Sequence, residues 1–271
     1  ADQQFTYDSA QALRANGFTR AYTVTYNGNF SGKTPTLGAT SQTATYTFKN
    51  WNNAAAGNGS YTYTNGQTVT NPNGATSGTT YLYAQWNSAS VKLPTATLPG
   101  YTFLGWYDAA TGGNKIGDAG DSYTPTAAKT LYAHWTANKI TVKFDGNGST
   151  GGSMTDQQFT YDTAQALKSN GFSRAYTVTY NGNFSGKTPT LGATSQTATY
   201  TFKNWNNAAA GNGSYTYTNG QTVTNPNGAT SGTTYLYAQW NSASVKLPTA
   251  TLPGYTFLGW YDAATGGNKI G

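Results

Sequence analysis

Residues 2–117 of this chain return almost unchanged as residues 156–271. The offset is 154 residues, and only four positions differ: Ser9/Thr163, Arg14/Lys168, Ala15/Ser169 and Thr19/Ser173. A duplication this faithful restricts the chain to tandem architectures, in which each copy closes on itself or on its neighbours. Such arrays serve reach, avidity or assembly, and an enzyme rarely needs its active site repeated in line. Residues 118–155 occur once, between the copies. The N-terminal copy thus lacks a counterpart of Ile140–Met154, and the C-terminal copy lacks one of Asp118–Trp135. The chain reads as a window on a longer array.

The copies carry the composition of a strand-rich protein. Thr, Gly, Asn, Ser and Tyr dominate, Glu is absent, and charged residues make up 9%, so the residues that favour exposed helices are scarce. Twenty-two Tyr, eleven Phe and seven Trp supply core material, each large buried ring being worth roughly 1.5–3 kcal/mol. With no cysteine, disulfides and thiol-ligated metals are excluded. The formal charge of +6 is carried by scattered lysines such as Lys33, Lys49 and Lys92; they form no stripe, so no nucleic-acid partner is expected. No apolar run is long enough for a membrane span.

Alternating segments mark strands at Tyr22–Tyr26, Ala44–Phe48, Ser60–Thr64, Thr80–Trp86 and Tyr101–Tyr107, the last with a bulge at Gly105. Tyr22–Phe48 reads as a hairpin added between helix and Gly-Trp strand. One short helix is expected at about 8–16, with Asp8 as N-cap, Gln11 as its capping-box partner and Gly17 left-handed at the stop; the second copy repeats it at about 162–170. One helix laid across a mostly β sheet is an α+β plan. Related tails at Tyr81–Trp86, Leu131–Trp135 and Tyr235–Trp240 end each module. The resulting division is 1–87 (module A, incomplete), 88–137 (short module B, without a helix), 138–241 (module A, complete) and 242–271 (module B, truncated), an elongated array of small modules.

The combination of Gly100-Tyr-Thr-Phe-Leu-Gly-Trp-Tyr107, Asp108-Ala-Ala-Thr-Gly-Gly113 and Thr130-Leu-Tyr-Ala-His-Trp135 resembles the internalin B-type repeat, or Listeria–Bacteroides repeat. Val142–Gly148 and Phe159–Leu167 fit the same pattern. The resemblance covers most of the chain. It implies small β-grasp-like modules in extracellular bacterial surface proteins, and it transfers no catalytic residue, because the motif defines core positions.

The candidates for chemistry are weak. Gly28-Asn-Phe-Ser-Gly-Lys-Thr34, repeated at 182–188, resembles a phosphate-binding loop but has three residues between its glycines where four are needed, and Pro35 follows where a helix should start. Asp145–Ser149 and Asp118–Asp121 are too poor in carboxylates for calcium and suit tight turns. His134 stands where sister tails carry Gln85 and Gln239, so it is read as an exposed strand residue with no base or acid beside it. Trp51, Trp86, Trp106 and Trp135 are expected in the core, whereas Tyr61, Tyr63, Tyr81 and Tyr83 are the candidates for an exposed face that could stack on sugars. No catalytic, cofactor or metal residue is assigned, and no cofactor is expected. The function read from the sequence is a non-enzymatic extracellular segment, an adhesin stalk or multivalent adhesion array at a bacterial cell surface. The alternatives are a glycan-binding module and a self-assembling filament or sheath subunit. Partners would be host or cell-wall glycans, surface proteins, or further copies of the chain.

Overall fold

A computed structural model describes residues 2–271 and divides the chain into two compact units, Ala1–Thr136 and Ala137–Gly271. Among the described residues there is no α-helix; two three-residue 3-10 turns, Pro72–Gly74 and Pro226–Gly228, stand amid strands.

This overturns the α+β expectation and, with it, the helix-on-sheet plan of β-grasp-like modules. Where the helix was expected, Gln11–Ala12 is a strand paired antiparallel with Thr68–Val69, and Gln165–Ala166 pairs likewise with Thr222–Val223. Asp8 and Asp162 have φ of 56° and 59°, which no helix N-cap adopts. Instead of capping, the Asp8 carboxylate accepts from Asn71 Nδ2 (2.7 Å), while its backbone N–H donates to Asn71 Oδ1 (2.8 Å). Gly17 does not have a positive φ, so it is not the left-handed stop that was expected. Nine residues are too few to nucleate a helix without tertiary help. Burying Leu13 against Tyr63 and Val69 is better served by an extended chain.

The principal strands of the first unit are β1 (Arg20–Asn27), β2 (Ser41–Tyr46), β3 (Phe48–Asn52), β4 (Thr62–Tyr63), β5 (Tyr83–Trp86), β6 (Tyr101–Tyr107), β7 (Lys115–Gly117) and β8 (Lys129–Ala137). In the second unit they are β9 (Lys139–Asp145), β10 (Gln157–Thr160), β11 (Phe172–Thr179), β12 (Ser195–Tyr200), β13 (Phe202–Asn206), β14 (Thr216–Tyr217) and β15 (Gly232–Trp240). Each unit holds one five-stranded sheet: β7-β6-β8-β1-β2 in the first and β14-β13-β15-β9-β10 in the second. The two orders are the same. In both, the closing strand runs parallel to an opening strand, Leu131 facing Tyr26 in β8/β1 and Leu236 facing Phe144 in β15/β9. In both, the opening strand pairs antiparallel on its other side, β1 with β2 and β9 with β10.

The hairpin read as an addition is therefore the opening of a sheet. Tyr22-Thr-Val-Thr-Tyr-Asn-Gly-Asn29 occupies in the first sheet the place that Ile140-Thr-Val-Lys-Phe-Asp-Gly-Asn147 occupies in the second. The intervening β3, β4 and β5 form a separate three-stranded sheet. Two sheets of the first unit are thus interlaced along the chain: one begins at Arg20 and closes only at Ala137.

The cores follow from strand alternation. Val24, Trp106, Leu131 and Ala133 are fully buried in the first unit, as are Ile140, Val142, Trp205, Leu236 and Ala238 in the second. The expected irregularity near Gly105 is present: its φ is +124°, and the β6–β7 register shifts between Trp106 and Tyr107. A Cβ there would meet Lys115 Cε and the Gly117 carbonyl oxygen, so only glycine fits without displacement.

Candidate functional site

The opening strands end in a polar hub that fixes each sheet. The Asn29 side chain donates to the carbonyls of Ala110 (2.7 Å) and Ala133 (3.0 Å), and Asn147 donates to those of Ala209 (2.8 Å) and Ala238 (2.9 Å). Both asparagines take a left-handed φ, 49° and 46°, which Asn tolerates better than other side chains. The closing Trp135 indole donates to Gly28 O (2.8 Å), and Trp240 to Gly146 O (3.0 Å). Asp145–Ser149 is a tight turn in which Asp145 Oδ1 accepts from the Asn147 backbone (2.7 Å). The Gly28–Thr34 segment joins β1 to the short strand Thr36–Leu37, and no helix follows it. Its Phe30 and Lys33 lie against Tyr101. In the Asp118–Asp121 turn, the Asp118 N–H donates to Asp121 (2.8 Å) and its carboxylate pairs with Lys115 (2.6 Å). These segments act as turns and clamps.

His134 is half-buried, not exposed. Its ring stacks on Tyr107 with centroids 3.9 Å apart, and Nε2 donates to Ala109 O at 3.0 Å. Gln85 and Gln239 reach the equivalent loop carbonyls, Ala54 and Ala208, so the shared role of the position is a donor that pins a loop. A second polar anchor, not anticipated from sequence, is Asn52, only 1% exposed. Its Oδ1 accepts from the N–H groups of Ala54 (2.8 Å) and Gly59 (3.0 Å), and its Nδ2 donates to Gly59 O (3.3 Å) and Thr62 Oγ1 (3.1 Å). Asn206 repeats the arrangement in the second unit. The Asn-Asn and Asn-Gly content of 52–59 was the available signal.

Of the four tryptophans expected in the core, Trp106 is fully buried, whereas Trp51, Trp86 and Trp135 are half-buried at the edges of the clusters; Trp205 is fully buried and Trp260 nearly so. The tyrosine face is narrower than expected. Tyr63 is buried, its hydroxyl accepting from the Asn73 N–H at 2.7 Å, and burial raises the pKa of its counterpart Tyr217. Tyr61, Tyr81 and Tyr83 are exposed, and Tyr215 and Tyr235 repeat the exposure of Tyr61 and Tyr81. Tyr61 stacks on Tyr63, and Tyr235 on Tyr237, with centroids 6.4 Å apart in each pair. The Asn73 amide holds Thr80 Oγ1 and the Tyr81 carbonyl, fixing the chain that displays the ring. What the surface offers is a duplicated set of polar-tipped flat rings, suited to stacking.

Two grooves complete the picture, one in each unit. A cavity of about 850 Å³ in the second unit is lined by Val178, Tyr180, Phe184, Tyr255, Phe257 and Trp260, among others. One of about 430 Å³ in the first lies between Gln3–Tyr7 and Gly78–Tyr81. Among the described residues, no group of three or more His, Asp or Glu side chains is placed to hold a metal ion, and no helix is long and apolar enough to cross a membrane.

Residues 71–134 and 225–271 match the model of the Listeria-Bacteroides repeat domain. They make up less than half of the chain, a narrower span than the motifs implied. Internalin H of Listeria monocytogenes is 47% identical over 74 residues, 27% of this chain and 13% of that protein. A protein of Evansella cellulosilytica described as a Gly-rich membrane protein is 29% identical over 149 residues, 44% of this chain and 17% of its own length. The chain thus spans less than a fifth of either relative. No solved structure matches it. The family model and the relatives point to a repeat region of a cell-surface or extracellular protein. Over residues 71–134 and 225–271, the match bears out the resemblance to the Listeria–Bacteroides repeat that the motifs suggested.

Proposed function

We propose that this segment works as a multivalent adhesion array on a bacterial surface, a stalk whose own faces make many weak contacts. The observation that carries the reading is the duplicated exposed tyrosine set: Tyr61 and Tyr215 are 41% and 40% exposed, and Tyr81 and Tyr235 are 67% and 47% exposed. Displaying one feeble site repeatedly raises the effective concentration of the second contact to the millimolar range, so avidity can exceed single-site affinity by about 10²–10⁴. A scarcity of charge and an abundance of Thr, Asn and Tyr suit contact with neutral glycans on host cells or in cell walls, or with surface proteins. The boundaries at 87/88, 137/138 and 241/242, each just past a Trp-terminated tail, are proposed as divisions of the sequence array, two segments together making one 154-residue period, and not as units that fold separately.

The test is retention on host cells and on a panel of cell-wall glycans, with the chain presented singly and on beads at high density. Adhesion predicts retention at high density that falls at least tenfold in a Tyr81→Ala/Tyr235→Ala chain. Absence of retention at any density would leave a passive spacer. A filament or sheath subunit is the second reading, favoured by the two grooves; concentration-dependent fibres in electron micrographs would support it, and a strict monomer in light scattering would argue against it.

A further inference from the structure

Eleven Asn-Gly dipeptides punctuate the chain: at Asn16, Asn27, Asn58, Asn65 and Asn73, at the five counterparts in the second copy, and at Asn147. This pair of residues carries a latent reaction, because glycine has no side chain to shield its backbone nitrogen. That nitrogen adds to the asparagine Cγ, and the new C–N bond closes a five-membered succinimide. The Cγ–Nδ2 bond breaks, and ammonia leaves with the proton that the glycine nitrogen gave up. Water then opens the ring at either carbonyl, giving aspartate or isoaspartate. Besides water, the reaction needs a glycine N–H free to lose its proton, an Oδ1 able to take up negative charge, and a peptide unit able to swing.

Most of the eleven are held back by their own hydrogen bonds. Gly59 N–H donates to Asn52 Oδ1 (3.0 Å), and Gly213 N–H to Asn206 Oδ1 (2.9 Å). Gly74 and Gly228 donate to the carbonyls of Asn71 and Asn225, each at 2.9 Å. Asn147 is clamped through Nδ2 to two carbonyls. Asn16 and Asn170 grip Phe18 and Phe172 with both ends of the amide, and Asn27 and Asn181 accept from the N–H groups of Asn29 and Asn183. A bond to the residue two places on must break when the glycine nitrogen in between swings onto Cγ.

Asn65 and Asn219 are different. Thr64–Gln67 is a turn closed by Gln67 N–H on Thr64 O (3.2 Å), with Gly66 at φ +70° and Asn65 outside the left-handed region, the type II arrangement. Its flanks are fixed: Thr64 N–H donates to Gln67 Oε1 (2.8 Å), and Leu13 N–H to Gln67 O (2.9 Å). Its tip is loose. Asn65 and Gly66 are exposed, and among the described residues neither Gly66 N–H nor Asn65 Nδ2 has a hydrogen-bond partner. Only Asn65 Oδ1 is engaged, accepting from the Asn16 N–H of a separate segment at 2.7 Å. Asn219 Oδ1 accepts from Asn170 N–H at the same distance. Oδ1 is the atom on which charge gathers as nitrogen adds to Cγ. A backbone N–H already aimed at it stabilises that charge as an oxyanion hole does, and this donor need not move when Gly66 turns.

We propose that Asn65-Gly66 and Asn219-Gly220 are self-modification sites, where the folded chain converts an amide to aspartate or isoaspartate once in each copy. Each conversion adds a carboxylate to a chain with nine acidic residues. Isoaspartate also lengthens the main chain by a methylene, in the turn that holds Leu13 and Asn16. Because ammonia is lost, the amide does not return, so each 154-residue period acquires a charge-changing mark with age.

The test is mass-spectrometric peptide mapping of the 271-residue chain held at neutral and mildly alkaline pH, both folded and in urea. The two copies share their sequence around these sites and are read together, with fragment ions separating Asn58, Asn65 and Asn73. In the folded chain, conversion at Asn65 and Asn219 should run at least tenfold ahead of the other two pairs and rise with pH. In urea the lead should vanish, because every site then shares the same glycine neighbour and no fold. One oxyanion donor is worth on the order of 10²–10³ in a closed enzyme site, and at this open turn Asn16→Pro with Asn170→Pro, which removes the N–H, should slow conversion roughly tenfold. Asn16→Ala with Asn170→Ala keeps the N–H and should leave the rate unchanged. Uniform conversion in the folded chain, a lead that persists in urea, or equal rates in the Pro and Ala variants would overturn the proposal. The first two results need no variant, so they decide the matter even if the Pro chain does not fold.

Discussion

Single residues in this protein carry the closure of whole loops. Asn52 satisfies both of its acceptor and both of its donor capacities inside the protein. Asn52→Ala would leave the Gly59 N–H and carbonyl without their partner, and such buried losses cost about 1–3 kcal/mol each. Chemical denaturation of the variant should therefore show a destabilisation of roughly 2–4 kcal/mol in the first unit, and Asn206→Ala the same in the second. Tyr26 makes a different prediction. It is 4% exposed against Trp106, and burial, with a smaller contribution from Tyr123, pushes its phenol from 10.0 up to about 12. The neutral phenol is favoured by folding, so the unfolded chain ionises first as pH rises. Stability is fully present below about pH 10 and is lost as pH climbs from 10 towards 12, by on the order of 2 kcal/mol. Tyr26→Phe should flatten that alkaline limb in a pH series of melts, and an unchanged limb would place the titration elsewhere.

At the scale of the element, the alternation of Tyr22–Tyr26 announced a strand correctly; Thr80–Trp86 is strand only from Tyr83, whereas its second copy is strand throughout and shows the expected inward face, with Leu236 and Ala238 buried and Tyr235 exposed. The helix was misread because Ala10, Ala12 and Leu13 are good helix formers, while the decision was tertiary: Gln11–Ala12 gains a ladder with Thr68–Val69. His134 was misread because a Gln in sister tails was taken as a sign of exposure, when both side chains serve as loop-pinning donors. The sequence carried a sign of the interlacing in the match between Tyr22–Asn29 and Ile140–Asn147. A strand's own pattern does not say which strand it will pair with, so the hairpin looked like an insertion. The dependence of a strand on its neighbour can be measured. Val24→Ala should cost about 1.5–3 kcal/mol, as for a fully buried side chain. Val178→Ala, at an exposed site of identical local sequence, should cost less than about 0.5 kcal/mol. Equal costs in denaturant titrations would mean that β8 does not determine burial in β1.

For the whole molecule, the repeat in sequence and the sheet in space are out of phase. A contiguous copy does not close its own sheets; the hairpin within one copy waits for a tail that follows more than eighty residues later, Asn27 of β1 preceding Lys129 of β8 in the chain. Tandem duplication of such a unit adds interlocked sheets, an arrangement that suits a surface segment built by copying. The most direct measurement is a cross-link in a chain that has no native cysteine. Thr25 and Thr130 are direct partners across the parallel β1–β8 ladder, and neighbouring strands about 4.8 Å apart lie within reach of a disulfide. In a Thr25→Cys/Thr130→Cys chain under mild oxidation, non-reducing peptide mapping should recover the two peptides joined within one molecule. Free thiols at both positions in the folded, oxidised chain would show that the hairpin does not open the sheet that Lys129–Ala137 closes.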